Sequence, residues 1–173
     1  YVSVNPTGSL HIGHARGASA GDSLSRIMKK AGYEVTREYY VNDAGNQINN
    51  LALSIQARYL DLCGIPTEMP KDGYHGPEII EAANRFYEEV GNKYANDENA
   101  FEFFKENGVE NLLNELKKDL IDFRVGFDVW FSEKSLYENN EVEKTINFLK
   151  ENNYTYELDG AIWLKTSDFD DEK

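Results

Sequence analysis

The first forty residues alternate between strand and helix patterns, and this alternation constrains the fold more than any other feature. Tyr1–Val4 predicts a short strand that ends at the turn cluster Asn5-Pro6-Thr7-Gly8. Helical spacing of apolar residues follows from Gly13 to a cap at Gly32, and Glu34–Val41 predicts a second strand. Strand–helix–strand units are almost always parallel and right-handed. The sequence therefore predicts an α/β chain with the first half of a Rossmann-like parallel sheet. The core face predicted for the first helix comprises Ala20, Leu24, Ile27, Met28 and Ala31.

The rest of the chain predicts a mostly helical insertion and a β-hairpin. Asp43 can cap a helix over Ala44–Leu62, which Gly64 and Pro66 close. Alternating residues on both sides of Asp159-Gly160 predict the hairpin. The remaining predictions are helices at 77–90, 109–120 and 142–149 and a buried strand at 127–131.

These elements divide the chain into four predicted segments. Residues 1–66 form the first half of the Rossmann-like domain, and 67–107 form a helical insertion. Residues 108–134 contribute a helix and a strand that return to the sheet. Residues 135–173 form a second insertion, which carries the hairpin.

Charge and composition narrow the possible partners. The net charge is −13, but residues 1–40 carry +2 and the remaining 133 residues carry −15. An anionic ligand is therefore expected at the N-terminal end. The one cysteine, Cys63, can build neither a disulfide framework nor a cysteine zinc site. No apolar run approaches the roughly 20 residues that span a bilayer, so we expect no membrane partner and a cytoplasmic location.

The segment His11-Ile12-Gly13-His14 lies at the predicted junction between the first strand and the first helix. In open parallel sheets nucleotides bind at such turns, and a helix N-terminus offers unpaired N–H groups to a phosphate. Gly13 leaves room for a nucleotide near the backbone, and the two imidazoles can stabilise charge on an α-phosphate. Two histidines alone are equally consistent with ordinary turn residues. Their position in the basic part of the chain favours function.

The same segment resembles the first signature of class I aminoacyl-tRNA synthetases. The longer run from Val4 to Gly17 is similar to the arginyl-tRNA synthetases in particular. Cysteinyl-tRNA synthetases resemble the chain less, because they have a zinc-binding cysteine where Asn5-Pro6-Thr7 stands. Further segments resemble the arginine family in the same order along the chain, and they are 21–24, 32–40, 41–48, 73–76, 127–133 and 159–164.

The resemblance implies substrates and roles for named residues. The family uses ATP with Mg²⁺, L-arginine and tRNA(Arg). By resemblance, His11 and His14 are catalytic residues that face the ATP phosphates, and Gly13 lies beneath the nucleotide. Ser3 and Asn5 correspond to positions that hold the α-amino and carboxylate ends of the amino acid. His14 is a further candidate for that contact.

Several residues keep two interpretations. Asn42 and Asp43 are candidates for lining the pocket from the end of the second strand, but Asp43 is equally suited to capping the next helix. His75 lies between glycines, where it is either a ligand contact or part of a structural turn. Asn5 is alternatively a turn residue before Pro6. Two tryptophans, Trp130 and Trp163, are predicted in the core.

The 173 residues also lack parts of the family pattern. We find no second class I signature loop, no guanidinium-binding tyrosine and aspartate, and no anticodon-binding domain. The resemblance therefore implies the N-terminal part of the catalytic domain of a monomeric arginine–tRNA ligase, inactive as an isolated fragment. Two other classes stay open: a small-molecule adenylyltransferase, which uses a similar histidine pair, and a non-catalytic binding module.

Overall fold

The computed structural model describes residues 1–169, and these divide into two units, Tyr1–Glu133 and a second that starts at Lys134. Residues 170–173 of the last predicted segment lie outside the described residues. The second unit begins one residue before the predicted boundary at 134/135. The boundary predicted at 107/108 falls within one continuous helix, so the four segments stay a prediction.

A parallel pair of strands organises the first unit. Strand β1 pairs in parallel with β2 in the register Glu38↔Val129 to Val41↔Ser132, so the strand predicted at 127–131 does return to the sheet. The parallel crossover predicted between Tyr1–Val4 and Glu34–Val41 is not formed, because residues 1–4 are not a strand. The connection between the two strands consists mainly of helices, as predicted for the insertion. In chain order the elements are α1 (Ile12–Lys30), β1 (Glu38–Val41), α2 (Asn46–Leu62), α3 (Pro77–Val90), α4 (Ala100–Asp122) and β2 (Val129–Ser132).

The strand predicted at Tyr1–Val4 is not formed. The reason is a side chain that takes the place of a neighbouring strand. The buried Tyr39 hydroxyl donates to the Val4 carbonyl at 2.9 Å and accepts from the Val4 N–H at 2.6 Å. Burial raises the pKa of Tyr39 to about 12, so the hydroxyl keeps the proton that it donates. The Tyr39 hydroxyl therefore holds the N-terminal segment beside β1.

Helix α1 packs through a different face from the one predicted. Its buried residues are Ala18, Asp22 and Ser25, whereas Leu24 and Ile27 are 58% and 65% exposed. Small residues on the packing face let the N-terminal segment approach the helix closely. A Cβ added at Gly21 would lie 1.8 Å from a ring carbon of Tyr1. The apolar stripe of α1 therefore faces solvent.

Helices α2, α3 and α4 surround the larger core cluster. The apolar stripe predicted on α2 is buried except for Leu62, which is 41% exposed. Pro77 opens α3 at its first turn, as predicted. Gly64 and Gly91 follow α2 and α3 with φ of 77° and 57°, values that favour glycine at a helix end. The predicted termini of these two helices are therefore confirmed within a few residues.

An ion-pair network joins the segments at the amino ends of both strands. The Arg37 guanidinium donates to both carboxylate oxygens of Asp128 at 3.1 Å, and the Arg37 N–H donates to the same carboxylate at 2.8 Å. Arg37 also pairs with Asp22 of α1 at 3.4 Å, and Asp22 accepts from Arg26 at 2.5 Å. The network therefore connects α1 to both strands.

Replacing Asp128 with asparagine is expected to lower the free energy of unfolding near neutral pH. The free energy of unfolding of the variant should also fall less steeply in acid than that of wild type. Hydrogen bonds from Arg37 hold the pKa of Asp128 well below its usual range. A carboxyl whose folded-state pKa is depressed stabilises the fold above its unfolded pKa, and this stabilisation is lost as the pH falls through the folded-state pKa. Urea midpoints between pH 7 and pH 2.5 measure the effect.

The exposed Asp72 provides the matched control for this measurement. The variant Asp72→Asn should keep the wild-type midpoint at neutral pH and the wild-type decline in acid. If the urea midpoints of wild type and Asp128→Asn fell equally between pH 7 and pH 2.5, the role assigned to the Arg37–Asp128 pair would be contradicted.

The second unit consists of two helices, a hairpin and a short 3₁₀ turn, and none of its described residues is fully buried. Asp159 and Gly160 both have positive φ, 52° and 75°, so the predicted hairpin turn is confirmed. Trp163 is 50% exposed, so its predicted place in the core is wrong. Trp130 of the first unit does pack against core residues. The elements are α5 (Lys134–Glu138), α6 (Glu141–Glu151), β3 (Thr155–Leu158), β4 (Ala161–Leu164) and the turn Thr166–Phe169.

Candidate active site

A polar cavity of about 390 Å³ lies between the N-terminal segment and the start of α1. It belongs to the first unit, beside the carboxyl end of β1, to which Ser3 is hydrogen-bonded. The cavity brings together three of the predicted site residues, Ser3, Asn5 and His14. Its lining consists of Ser3, Val4, Asn5, Thr7, Gly8, Ser9 and His14.

The two histidines form the N-terminal cap of α1. His11 is the N-cap residue, and its Nδ1 accepts from the Gly13 N–H at 3.1 Å. In return, Nδ1 of His14 accepts from the His11 N–H at 3.2 Å. This reciprocal arrangement is a capping box, which serine or threonine with glutamate usually forms. The rings stack with centroids 3.5 Å apart.

The capping box selects the tautomer of both imidazoles. Because each Nδ1 accepts a hydrogen bond, each neutral ring carries its proton on Nε2. Burial lowers the pKa of His14, and the nearby His11 lowers it further. The first turn of α1 contains no acidic residue. The arrangement thus offers two Nε2–H donors at a helix N-terminus, where an anion is favoured.

The position of the His11 ring depends on the absence of a side chain at Gly13. A Cβ added at Gly13 would lie 2.9 Å from Cε1 and 3.1 Å from Nδ1 of His11. These distances are too short for a methyl group, so the ring would have to move. The predicted space beneath a nucleotide is therefore occupied on one side by the cap.

If His11 contacts ATP as the resemblance implies, replacing Gly13 with alanine is expected to slow amino-acid activation about ten- to hundredfold, because the His11 ring must shift and a misplacement of about 1 Å can cost this much. The measurement is the rate of ATP–pyrophosphate exchange in the full-length protein at saturating substrates. The exposed Ser19 lies on the same helix, and Ser19→Ala serves as the control. An unchanged rate in Gly13→Ala would contradict the need for this ring position.

The side chains of Ser3 and Asn5 each donate a hydrogen bond to another group of the protein. The Ser3 hydroxyl donates to the Tyr40 carbonyl at 2.6 Å. The Asn5 amide nitrogen donates to Oε1 of Gln47 at 2.5 Å. The remaining lone pairs of Ser3 Oγ and Asn5 Oδ1 are acceptors. This side of the cavity therefore suits a ligand group that donates hydrogen bonds.

The structure separates the other candidates from the cavity lining. Asp43 does not cap α2, because the helix begins at Asn46 after Gly45, whose φ is 82°. Its carboxylate instead accepts from the Ser132 hydroxyl at 2.6 Å, which joins the carboxyl ends of β1 and β2. Asn42 is half-buried beside it, and His75 is exposed in the loop before α3. Ligand contacts by these residues stay predictions.

Sequence reasoning missed three residues that shape the site. Gln47 binds Asn5, Ser132 binds Asp43, and the Tyr39 hydroxyl holds Val4. Their partners are 35 to 89 positions away, so local patterns carry no signal for these contacts. The available indication was that Tyr39, Gln47 and Ser132 each lie within a family-like segment, 32–40, 41–48 and 127–133.

A built-in metal site is not found within residues 1–169, where no group of three or more His, Cys, Asp or Glu side chains could hold an ion. A search of the helices in this part of the chain also finds none with the length and apolar character needed to cross a membrane.

The parallel strands, the polar cavity and the paired imidazoles at the first turn of α1 agree with a catalytic domain of the class I tRNA synthetase type. A family model described as tRNA synthetases class I (R), catalytic domain, matches residues 1–172. The chain therefore belongs to the arginine family of class I tRNA synthetase catalytic domains.

Known relatives agree with this assignment. Arginine–tRNA ligase of Bacillus subtilis is 52% identical over 175 residues, and arginine–tRNA ligase 1 of Halalkalibacterium halodurans is 53% identical. A Campylobacter jejuni crystal structure assigned as an arginyl-tRNA synthetase matches the whole chain with a TM-score of 0.86 and 40% identity. The chain spans 32% of the length of these curated relatives and 38% of the crystallised chain.

Proposed function

We propose that this chain is part of an arginine–tRNA ligase, which activates L-arginine with ATP and transfers it to tRNA(Arg). The observation that carries the proposal is the stacked pair of Nε2–H imidazoles at the start of α1, beside the cavity that contains Ser3 and Asn5. Family membership supports the same reaction.

In the proposed first step, a carboxylate oxygen of arginine attacks the α-phosphorus of ATP. The new P–O bond forms as the bond to pyrophosphate breaks, and negative charge builds on the α-phosphate oxygens. Donors placed before the reaction stabilise such charge without reorganisation. His11 and His14 are proposed as these donors, and the positive end of α1 acts in the same direction.

The α-ammonium group of arginine is proposed to bind Ser3 and Asn5. An ammonium group has three N–H donors and no acceptor, so it complements two oxygen acceptors. The Ser3 hydroxyl already donates to the Tyr40 carbonyl, and one of the two Asn5 N–H groups donates to Gln47, so the nitrogen end of the Asn5 amide is turned toward Gln47. A carboxylate on the same two atoms would bring acceptors together and would be disfavoured.

Arginine-dependent ATP–pyrophosphate exchange by the full-length protein, with tRNA(Arg) supplied, tests the proposed function. Exchange with arginine but not with cysteine or lysine is the expected result. The 173-residue chain alone is expected not to exchange, because it contains neither the second signature loop nor the guanidinium-binding residues described for the family. Exchange without any amino acid dependence would instead favour a small-molecule adenylyltransferase.

Mg²⁺ belongs to the proposal only as the cation that accompanies the ATP phosphates. The described residues supply no ligand set of their own for it. We further propose a monomeric, cytoplasmic protein. The cytoplasmic location is supported by the single, half-buried Cys63, which suits a reducing compartment.

A further inference from the structure

We propose that Gln47 is a positioning residue that orients the Asn5 amide for the α-ammonium group of the amino acid. The inference rests on the proposed function and concerns a residue outside the cavity lining. Gln47 lies in the first turn of α2, and its Oε1 accepts from the Asn5 Nδ2 at 2.5 Å. The contact connects residues 42 positions apart.

An asparagine amide can present either its oxygen or its nitrogen to a ligand, because rotation about χ2 exchanges the two ends. The Gln47 amide has the same two ends, and in the structure its oxygen faces Asn5 and accepts from Nδ2, so the Asn5 nitrogen faces α2. The Asn5 oxygen is then the end left for a ligand. Without Gln47 the amide is free to turn its N–H groups toward the cavity, where they would repel an ammonium group.

The rest of the Asn5 environment leaves this selection to Gln47. The backbone carbonyl of Asn5 accepts from the Thr7 N–H at 2.7 Å, which holds the turn but not the side-chain amide. Ser3, the other proposed acceptor, is oriented separately through the carbonyl of Tyr40. The two acceptors are thus held by different elements, β1 and the first turn of α2.

Steady-state exchange kinetics of the full-length protein test the inference. The variant Gln47→Met keeps the size of the side chain but removes the acceptor. Its KM for arginine should rise about three- to tenfold, as expected for one hydrogen bond, while kcat and the KM for ATP change by less than about twofold. The variant Gln47→Glu keeps an acceptor and should rescue the KM for arginine to within about twofold of wild type.

A double-mutant cycle with Asn5→Ala separates positioning through Asn5 from an independent effect. Once Asn5 is removed, Gln47→Met should cause no further rise in the KM for arginine. Additive effects of the two substitutions, or an unchanged KM in Gln47→Met, would overturn the inference. Equal losses for arginine and ATP would also overturn it, because they indicate a general structural defect.

The wild-type protein distinguishes failure of the inference from failure of the proposed function. If wild type shows no arginine-dependent exchange, the proposed function fails. If wild type exchanges normally and Gln47→Met has wild-type kinetics, only the role of Gln47 fails.

Discussion

Replacing His14 with alanine in the full-length protein is expected to slow arginine activation about a hundred- to thousandfold. Loss of one well-placed transition-state donor typically costs roughly 2.7–4 kcal/mol. His14 lines the cavity and has its Nε2–H available, because its Nδ1 is used by the helix cap. Pyrophosphate exchange at saturating ATP and arginine measures the change in kcat.

The structural role of His14 requires its own control. Alanine at this position also removes half of the capping box, at a cost of about 1 kcal/mol. The variant His14→Glu keeps an acceptor for the His11 N–H but has no N–H donor. It should therefore be folded as stably as wild type and still be inactive. Wild-type activity in His14→Glu would show that the residue serves the helix alone.

Replacing Phe104 with alanine is expected to cause the largest loss of stability, about 3–5 kcal/mol. Phe104 is completely buried on α4, and aromatic rings surround it from α2, α3 and the loop before α4. The ring centroids of Tyr59, Phe86 and Tyr94 lie 4.8, 5.9 and 6.2 Å away. Truncation leaves a cavity that these rigid neighbours cannot fill.

Urea unfolding of the 173-residue chain, followed by far-UV circular dichroism, measures this loss. With a slope of about 1–3 kcal/mol per molar urea, the midpoint should fall by about 1 M or more. Phe123, at the end of the same helix, is 48% exposed. The variant Phe123→Ala should leave the midpoint within a few tenths of a molar. A midpoint for Phe104→Ala as high as that control would contradict the assigned core position.

Local signals in the sequence predicted most of the elements. Asp159-Gly160 predicted a turn because two successive residues with positive φ favour this pair. The ends of α2 and α3 were predictable because glycine and proline act within one helical turn. The family was predictable from the segment His11-Ile12-Gly13-His14 and from the further segments that resemble the family in the same order along the chain. The roles of His11 and His14 stay predictions.

Contacts between distant residues could not be predicted in this way. The apolar stripe of α1 indicated a buried face, but periodicity cannot show which face has a neighbour. The helix instead packs through Gly17, Ala18 and Gly21, because these small residues let the N-terminal segment approach closely. The capping role of Asp43 failed because Ser132, 89 positions away, binds its carboxylate.

The bond between the Tyr39 hydroxyl and Val4 has a consequence for interpreting pH–rate profiles. This phenol ionises only in strongly alkaline solution, and the Arg37–Asp128 pair is lost only in strong acid. Between these extremes both attachments keep a constant charge. A loss of rate on mild acidification is therefore not expected to come from release of the segment that carries Ser3 and Asn5.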